Sequence, residues 1–219
     1  MNPASLLDPF AAALVLGGTL AATVLRCGFG ECYRTLRVLA RLHRRRFNAD
    51  RIRAELAQQI QEIQRDGLLR AYPRVFGDSE FEQATGAMIE TRSVEAALAL
   101  HERHKARRAR GADTAAHTLA QAAELAPVFG LAGTLVSLSQ LPADGIAGAA
   151  VAGAISLAVL TTLYGLLAAN FLFAPLSRAV VRAKELEEAE REKLFDWLAA
   201  QVAPAMPSRK RHIELVEAL

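Results

Sequence analysis

Two long apolar segments in the C-terminal half of the chain constrain its fold more than any other feature. Residues 125–141 and 146–177 contain no Lys, Arg, Asp or Glu, and only the four residues 142–145 separate them. An α-helix needs about 20 apolar residues to cross a hydrocarbon core of about 30 Å. The two segments are therefore predicted to form a membrane hairpin of two helices joined by a tight turn.

A third apolar segment, residues 9–25, lies near the N-terminus and is just long enough to span a bilayer. No Lys or Arg precedes Arg26, so the segment lacks the positively charged region of a secretory signal peptide. We therefore expect a retained membrane helix. The charged residues lie mainly in two blocks, 26–124 and 178–219, as is typical of a membrane protein with soluble segments.

The distribution of arginine predicts the topology. Basic residues follow the first and last spans, whereas the N-terminal segment 1–8 and the turn 142–145 carry none. The positive-inside rule then predicts that residues 1–8 and 142–145 lie on the outer side of the membrane, and that 26–124 and 178–219 lie in the cytoplasm. The basic residues are Arg26, Arg34, Arg37, Arg41, Arg44, Arg45 and Arg46 after the first span, and Arg178, Arg182 and Lys184 after the last.

The soluble segments are predicted to be helical. Ile52, Leu56, Ile60 and Ile63 recur at helical spacing. A further helix is expected from about Glu80 through Glu102, and another from Ala112 into the membrane. A charged amphipathic helix follows the last span and ends before Pro204. The predicted fold is an all-α membrane protein, with three transmembrane helices and a helical cytoplasmic domain between the first and second.

Motifs for enzymatic chemistry are absent from the sequence, which has neither a phosphate-binding glycine loop nor a Cys-x-x-Cys pair. We therefore predict no enzymatic activity and no cofactor. Cys27 and Cys32 point in different directions on a helix and are expected to be free thiols. His101 and His104 have the spacing of a metal pair, but no third ligand is evident, so a surface pair is favoured.

The basic run Arg103–Arg110 is expected to form a solvated helix face or to contact anionic lipid headgroups. Nucleic-acid binding is not expected, because the net charge is only +3 and no aromatic residues interleave with the arginines.

Polar residues within the spans are the better functional candidates, because polar groups in a bilayer usually face a bundle interior or a water path. Thr134 and Thr162 are the candidates for such positions. The alternative is that each hydroxyl only bonds to its own helix backbone. Because the spans contain no Asp, Glu, His or Lys, a proton channel built from this chain needs a titratable carrier from a partner.

Small residues along the same helices predict close packing between membrane helices. The predicted packing residues are Gly130, Gly133, Gly153 and Gly165. Pro127 is either a helix-start proline or a kink within the helix.

Several segments resemble the MotA/TolQ/ExbB proton-channel family. Ala126–Val136, APVFGLAGTLV, resembles the third-helix motif of the family. Leu160–Asn170, LTTLYGLLAAN, followed by Pro175, resembles the last helix in its MotA-like form. Val15–Thr23 resembles the second membrane helix of MotA-type subunits, and Asp66–Leu69 a short cytoplasmic motif of the group.

This resemblance implies an ion-channel subunit of the bacterial inner membrane. In the family, five copies surround two transmembrane helices of a MotB/TolR/ExbD-type partner, which supplies a membrane Asp, and ion flow past that Asp is thought to rotate the ring. Carried over by motif, Thr134 and Thr162 would line the ion path, and Pro127 and Pro175 would match the helix prolines.

The resemblance also has departures. MotA-type subunits have another span before the Gly-Gly-Thr helix, so we expect a MotA-like subunit without that first helix and with the three spans of TolQ and ExbB. The resemblance fits a proton or a sodium channel, and it fits a flagellar motor or another machine of the cell envelope with a partner of the MotB/TolR/ExbD type. A non-conducting scaffold that anchors a cytoplasmic helical domain is the alternative function.

Overall fold

The computed structural model describes residues 8–44, 47–66, 76–141 and 148–205, and all regular secondary structure in those ranges is helical. This confirms the predicted all-α fold, with a helical region between the first and second apolar helices. The elements are α1 (Pro9–Cys27), α2 (Phe29–Arg44), α3 (Ala49–Asp66), α4 (Ser79–Thr91), α5 (Val94–Ser139), α6 (Gly148–Leu167), a π-helical segment (Ala168–Phe173), α7 (Ala174–Val202) and a 3-10 turn (Ala203–Ala205).

The chain divides into two compact units. Unit 1 contains Met1–Arg45 and Arg110–Ala183, and unit 2 contains Arg46–Ala109 and Lys184–Leu219. Three helical stretches are long and apolar enough to cross a membrane. They are Pro9–Cys27, and one apolar stretch within each of the longer helices Val94–Ser139 and Ala150–Val202.

Unit 1 is built around small side chains. Its core includes Ala115, Leu119, Ala122 and Ala126 of α5 with Ala168, Ala169 and Phe173 of the π-helical segment, and part of α2 packs against it. The start of α1 is fixed by Asp8, whose carboxylate accepts hydrogen bonds from the backbone N–H groups of Phe10 and Ala11. The backbone N–H of Asp8 also donates to the hydroxyl of Tyr164, at 3.1 Å.

The π-helical segment interrupts the apolar helix that is predicted over residues 146–177. Within this segment the N–H of Ala174 donates to the carbonyl of Ala169, one residue further back than in an α-helix. Pro175 follows at once and has no N–H with which to continue the regular ladder. We attribute the wider turn to this proline.

Helix boundaries in the soluble region also differ from the prediction of one helix from Glu80 through Glu102. The structure ends α4 at Thr91, because Arg92 adopts a left-handed backbone conformation with φ of 56°. The N–H of Ser93 then bonds to the carbonyl of Met88 and closes the helix end. A single helix, α5, then runs on through Gly111 into the apolar segment.

Unit 2 has a larger and more aromatic core. Ile52, Leu56, Ile60 and Ile63 of α3 are all buried in it, as their helical spacing predicts. They pack with side chains of α4 and α7, among them Phe81, Met88, Phe195 and Leu198. Trp197 packs against the same core.

The predicted turn 142–145 and residues Gly67–Leu69 of the short cytoplasmic motif lie outside the described residues, as does most of the C-terminal tail.

Candidate functional site

Helices α5 and α6 approach each other closely at three of the four glycines predicted to mediate packing. A Cβ placed on Gly165 would lie 2.7 Å from the carbonyl oxygen of Ala126. One placed on Gly130 would lie 3.0 Å from the carbonyl oxygen of Thr161, and one on Gly133 would lie 2.6 Å from Cβ of Thr161. The neighbouring atoms are backbone at Gly130 and Gly165 and the Thr161 side chain at Gly133, so a larger residue would crowd the contact at each position.

At the fourth glycine, Gly153, such a Cβ would meet no atom of the described residues within 4 Å beyond its own neighbours and helix backbone. Gly18 of α1 was not predicted as a packing residue, yet a Cβ there would overlap the ring of Phe129. The Val15–Thr23 segment thus packs against α5 through a glycine.

An open apolar groove of about 440 Å³ lies between α5 and α6 and contains both threonines predicted for the ion path. Six apolar side chains line the groove beside the two hydroxyls. The lining residues are Thr134 and Leu138 from α5, and Ile155, Ala158, Val159, Thr162, Leu163 and Leu166 from α6. The structure therefore brings together two residues that are distant in sequence.

The groove face of α6 was missed by sequence reasoning, although its signal was present. Ile155, Val159, Thr162 and Leu166 are spaced by four, three and four residues, which places them on one face of a helix. The polar Thr162 within this otherwise apolar stripe distinguishes this face from the other faces of α6.

Both threonine hydroxyls donate to their own helix. Oγ1 of Thr134 lies 2.7 Å from the carbonyl of Leu131, and Oγ1 of Thr162 lies 3.1 Å from the carbonyl of Ala158. Each side chain is half-buried at the groove. A hydroxyl that donates to the backbone keeps lone pairs with which it can accept a hydrogen bond. Each threonine can therefore offer an acceptor to a group that enters the groove.

Among the residues that the structure describes along the groove, none is ionisable. Such a surface can hold a proton donor by hydrogen bonding but supplies no titratable side chain of its own.

Pro127 lies inside α5, so the helix-start interpretation is wrong. Its ring nitrogen has no hydrogen, which leaves the carbonyl of Ala123 without its usual helical donor. The backbone at this point is in close contact with α6, since a Cβ on Gly165 would lie 3.2 Å from Cα of Pro127. Pro175 lies at the start of α7 and is exposed.

A second polar cluster lies within unit 2. Arg191 is only 6% exposed and donates to Asp78, at 2.6 Å, and to Glu187, at 2.9 Å. Arg108 bonds to Glu80 and, at 2.9 Å, to Glu188. The charged pairs join α4, α5 and α7. No local sequence pattern predicts these pairings.

The same cluster contradicts the prediction that His101 and His104 form a surface pair. The two residues are 4% and 6% exposed, and His101 packs on the ring of Phe195 with the ring centroids 3.8 Å apart. Burial lowers the pKa of both imidazoles, because the charged form would lose water. No group of His, Cys, Asp and Glu suited to a metal ion occurs among the described residues.

The sequence matches the MotA/TolQ/ExbB proton channel family over residues 76–193, more than half of the chain. The chain belongs to this family. The matched region contains α4, α5, α6 and most of α7, and therefore both sides of the groove. Family membership and the three apolar helices together make this a multi-pass membrane protein. No curated protein matches the chain.

Two solved structures share the fold. The flagellar MotAB stator complex from Bacillus subtilis matches with a TM-score of 0.76 at 19% identity, covering 90% of this chain and 79% of that chain. MotAB from C. jejuni matches with a TM-score of 0.79 at 18% identity, covering 100% of this chain and 87% of that chain. These similarities place the chain among MotA-like folds.

Proposed function

We propose that this chain is a subunit of a proton-driven stator or energiser complex in the bacterial inner membrane. In this proposal the groove between α5 and α6 faces the membrane helix of a MotB/TolR/ExbD-type partner. The observation that carries the proposal is the pairing of Thr134 and Thr162 in one open groove without an ionisable group. Membership of a proton channel family supports it.

The hydroxyls suit a partner that carries a carboxyl group. A protonated Asp can donate to Oγ1 of Thr134 or Thr162, each of which already donates its own proton to the helix backbone. When the carboxyl group loses its proton, this hydrogen bond is lost as well. The groove would therefore bind the protonated partner more strongly than the ionised one, and proton transfer would change the contact between the two proteins.

A ring of five copies around two partner helices is the proposed assembly. Three glycines already lie at the contact between α5 and α6, whereas no described residue of another helix covers Gly153. We propose that Gly153 allows a neighbouring copy to approach. Gly153→Leu should then leave the single chain folded but prevent ring formation in native mass spectrometry. Intact rings in this variant would show that Gly153 does not lie at the interface between copies.

We further propose that the N-terminus is periplasmic and the C-terminus cytoplasmic, because of the arginine distribution. Labelling of cysteines introduced at Ser5, Asp144 and Ser208 by an impermeant reagent tests this topology. Ser5 and Asp144 should react from the periplasmic side and Ser208 should not. A Ser5 position labelled only from the cytoplasm contradicts it.

The functional test is proton flux into vesicles that contain the purified chain and its single-span partner. We expect flux with both proteins and none with the chain alone, because the described part of the groove has no titratable group. Replacing the partner's membrane Asp by Asn should also abolish flux. A stable complex that conducts no ions under any of these conditions would favour the scaffold alternative.

A further inference from the structure

Helix α2 presents three distinct faces, and only one of them is covered by the rest of unit 1. Thr35 is 5% exposed, and Val38, Leu39 and Leu42 pack against the unit 1 core. These residues define the covered face. The other two faces are exposed and differ sharply in chemistry.

One exposed face is apolar. Phe29, Tyr33 and Leu36 are 81%, 60% and 65% exposed, and Ala40 continues the same line. The spacing of four, three and four residues makes this a continuous stripe, here called the apolar stripe of α2. A stripe of large apolar side chains that the described residues leave uncovered indicates a non-aqueous neighbour.

The adjacent exposed face is basic. Arg34, Arg37 and Arg41 follow one another at spacings of three and four residues, beside the apolar stripe. The three arginines make no ion pair with any residue that the structure describes. Arg37 donates to the hydroxyl of Tyr33, at 3.0 Å, and lies over its ring, which links the two faces.

The position of α2 identifies the neighbour. Phe29 begins α2 two residues after Cys27 ends α1, one of the three helices able to cross a membrane. Gly28, with φ of 86°, separates the two helices in a conformation that other residues rarely adopt. The apolar stripe therefore begins where a membrane helix ends, at the depth of the lipid headgroups.

We propose that α2 is an interfacial helix that binds anionic phospholipids. Its apolar stripe enters the boundary between headgroups and acyl chains, and its arginines bind the lipid phosphates. Amphipathic helices with apolar and basic faces bind lipid surfaces in this way, and tyrosine is common at that depth. Arginine suits the phosphate because its planar fork can donate two parallel hydrogen bonds.

The proposal replaces the lipid contact considered for the run Arg103–Arg110. Arg107 and Arg108 pair with Glu80, and Lys105 lies 3.7 Å from Glu192. Arg108 is only 17% exposed. Much of that run stabilises unit 2, whereas Arg34, Arg37 and Arg41 form no ion pair with any residue in the described part of the chain. The proposal requires membrane insertion but does not require that the chain conducts ions.

The test is a nitroxide label at Leu36→Cys in the full chain, on a Cys27→Ser, Cys32→Ser background. The chain is placed in vesicles of phosphatidylcholine, either pure or with one-third phosphatidylglycerol. Collisions with oxygen report a lipid environment, and collisions with a water-soluble nickel chelate report solvent. We expect the label in the anionic vesicles to be reached by oxygen and to be several-fold less accessible to nickel than in the pure vesicles.

Arg34→Gln with Arg41→Gln should raise nickel accessibility several-fold in the anionic vesicles. The matched control, Arg65→Gln with Arg103→Gln, removes the same charge from exposed positions of unit 2 and should have no effect. A label equally open to nickel in both vesicles would show a solvated stripe and overturn the proposal. If the label is shielded from both oxygen and nickel, another protein surface, such as a second copy of the chain, covers the apolar stripe, and the lipid proposal is wrong. If the label is equally accessible to oxygen in pure and in anionic vesicles and equally shielded from nickel, α2 does not bind the anionic lipids through its arginines.

Discussion

At the scale of single residues, the two groove threonines carry the functional claim. Thr162→Val keeps the shape of the side chain and removes its ability to accept a hydrogen bond. We expect the complex to assemble and its proton flux to fall by about tenfold, since a hydrogen bond to a reacting group contributes about 1.4 kcal/mol. Thr134→Val should have an effect of the same sign.

Thr19→Val is the matched control for this substitution. Thr19 also lies in a membrane helix and donates to its own backbone, at 2.6 Å from the carbonyl of Val15, but it does not line the groove. Its replacement should leave flux unchanged. If the Thr134→Val, Thr162→Val double variant conducts at the full rate, the two hydroxyls only bond to their own helix backbone, as in the alternative stated for them.

The buried histidines predict a pH dependence of unit 2. Because folding lowers the pKa of His101 and His104 below the usual value of about 6.5, the folded state binds fewer protons than the unfolded state. The stability from this effect is present above about pH 6.5 and is lost as the pH falls. The charged groups around the pair are Asp78, Glu80, Glu102, Lys105, Arg107, Glu188 and Arg191.

We expect the melting temperature of unit 2 to drop by several degrees between pH 7.5 and pH 5.5. Trp197, the single tryptophan of the chain, packs on the unit 2 core and reports this transition by fluorescence. Substituting both histidines by Gln should flatten the dependence, since Gln does not titrate. An equal drop in the wild type and the double variant would assign the effect to the carboxylates instead.

At the scale of helices, the packing of α5 on α6 depends on glycine. Gly165→Ala would place a Cβ against the backbone of Ala126 and Pro127, which cannot move as a flexible side chain does. We expect a loss of about 1–3 kcal/mol in stability, the usual effect of overpacking a tight contact. Thermal denaturation of the purified protein in mild detergent measures it.

Gly17→Ala serves as its control, because Gly17 lies in α1 and a Cβ placed there would meet no described atom within 4 Å beyond its own neighbours and helix backbone. That variant should be at least as stable as the wild type, since alanine is the better helix former. Equal stability of the two variants would mean that α5 and α6 can separate at little cost.

Features that depend on residues close together in the sequence could be predicted, whereas features that depend on contacts between distant residues could not. The apolar segments and the helical spacing of Ile52 to Ile63 are local patterns, and the structure shows helices at each. The groove joins Thr134 to Thr162 across two helices, so composition indicated both residues but not their proximity. Burial of His101 and His104 depends on partners from α4 and α7, which no local pattern reveals.

At the scale of the whole molecule, the central claim is that a partner helix lies in the groove beside the threonines. Disulfide crosslinking to a cysteine next to the partner's membrane Asp tests this, with the native Cys27 and Cys32 replaced by Ser. Val159 lies in the groove and is 61% exposed. Phe171 lies on the same apolar stretch, is 78% exposed and does not line the groove. The two test variants are Val159→Cys and Phe171→Cys. We predict a crosslink at position 159 and none at position 171. A crosslink at position 171 alone, or at neither position in an intact complex, would contradict the claim.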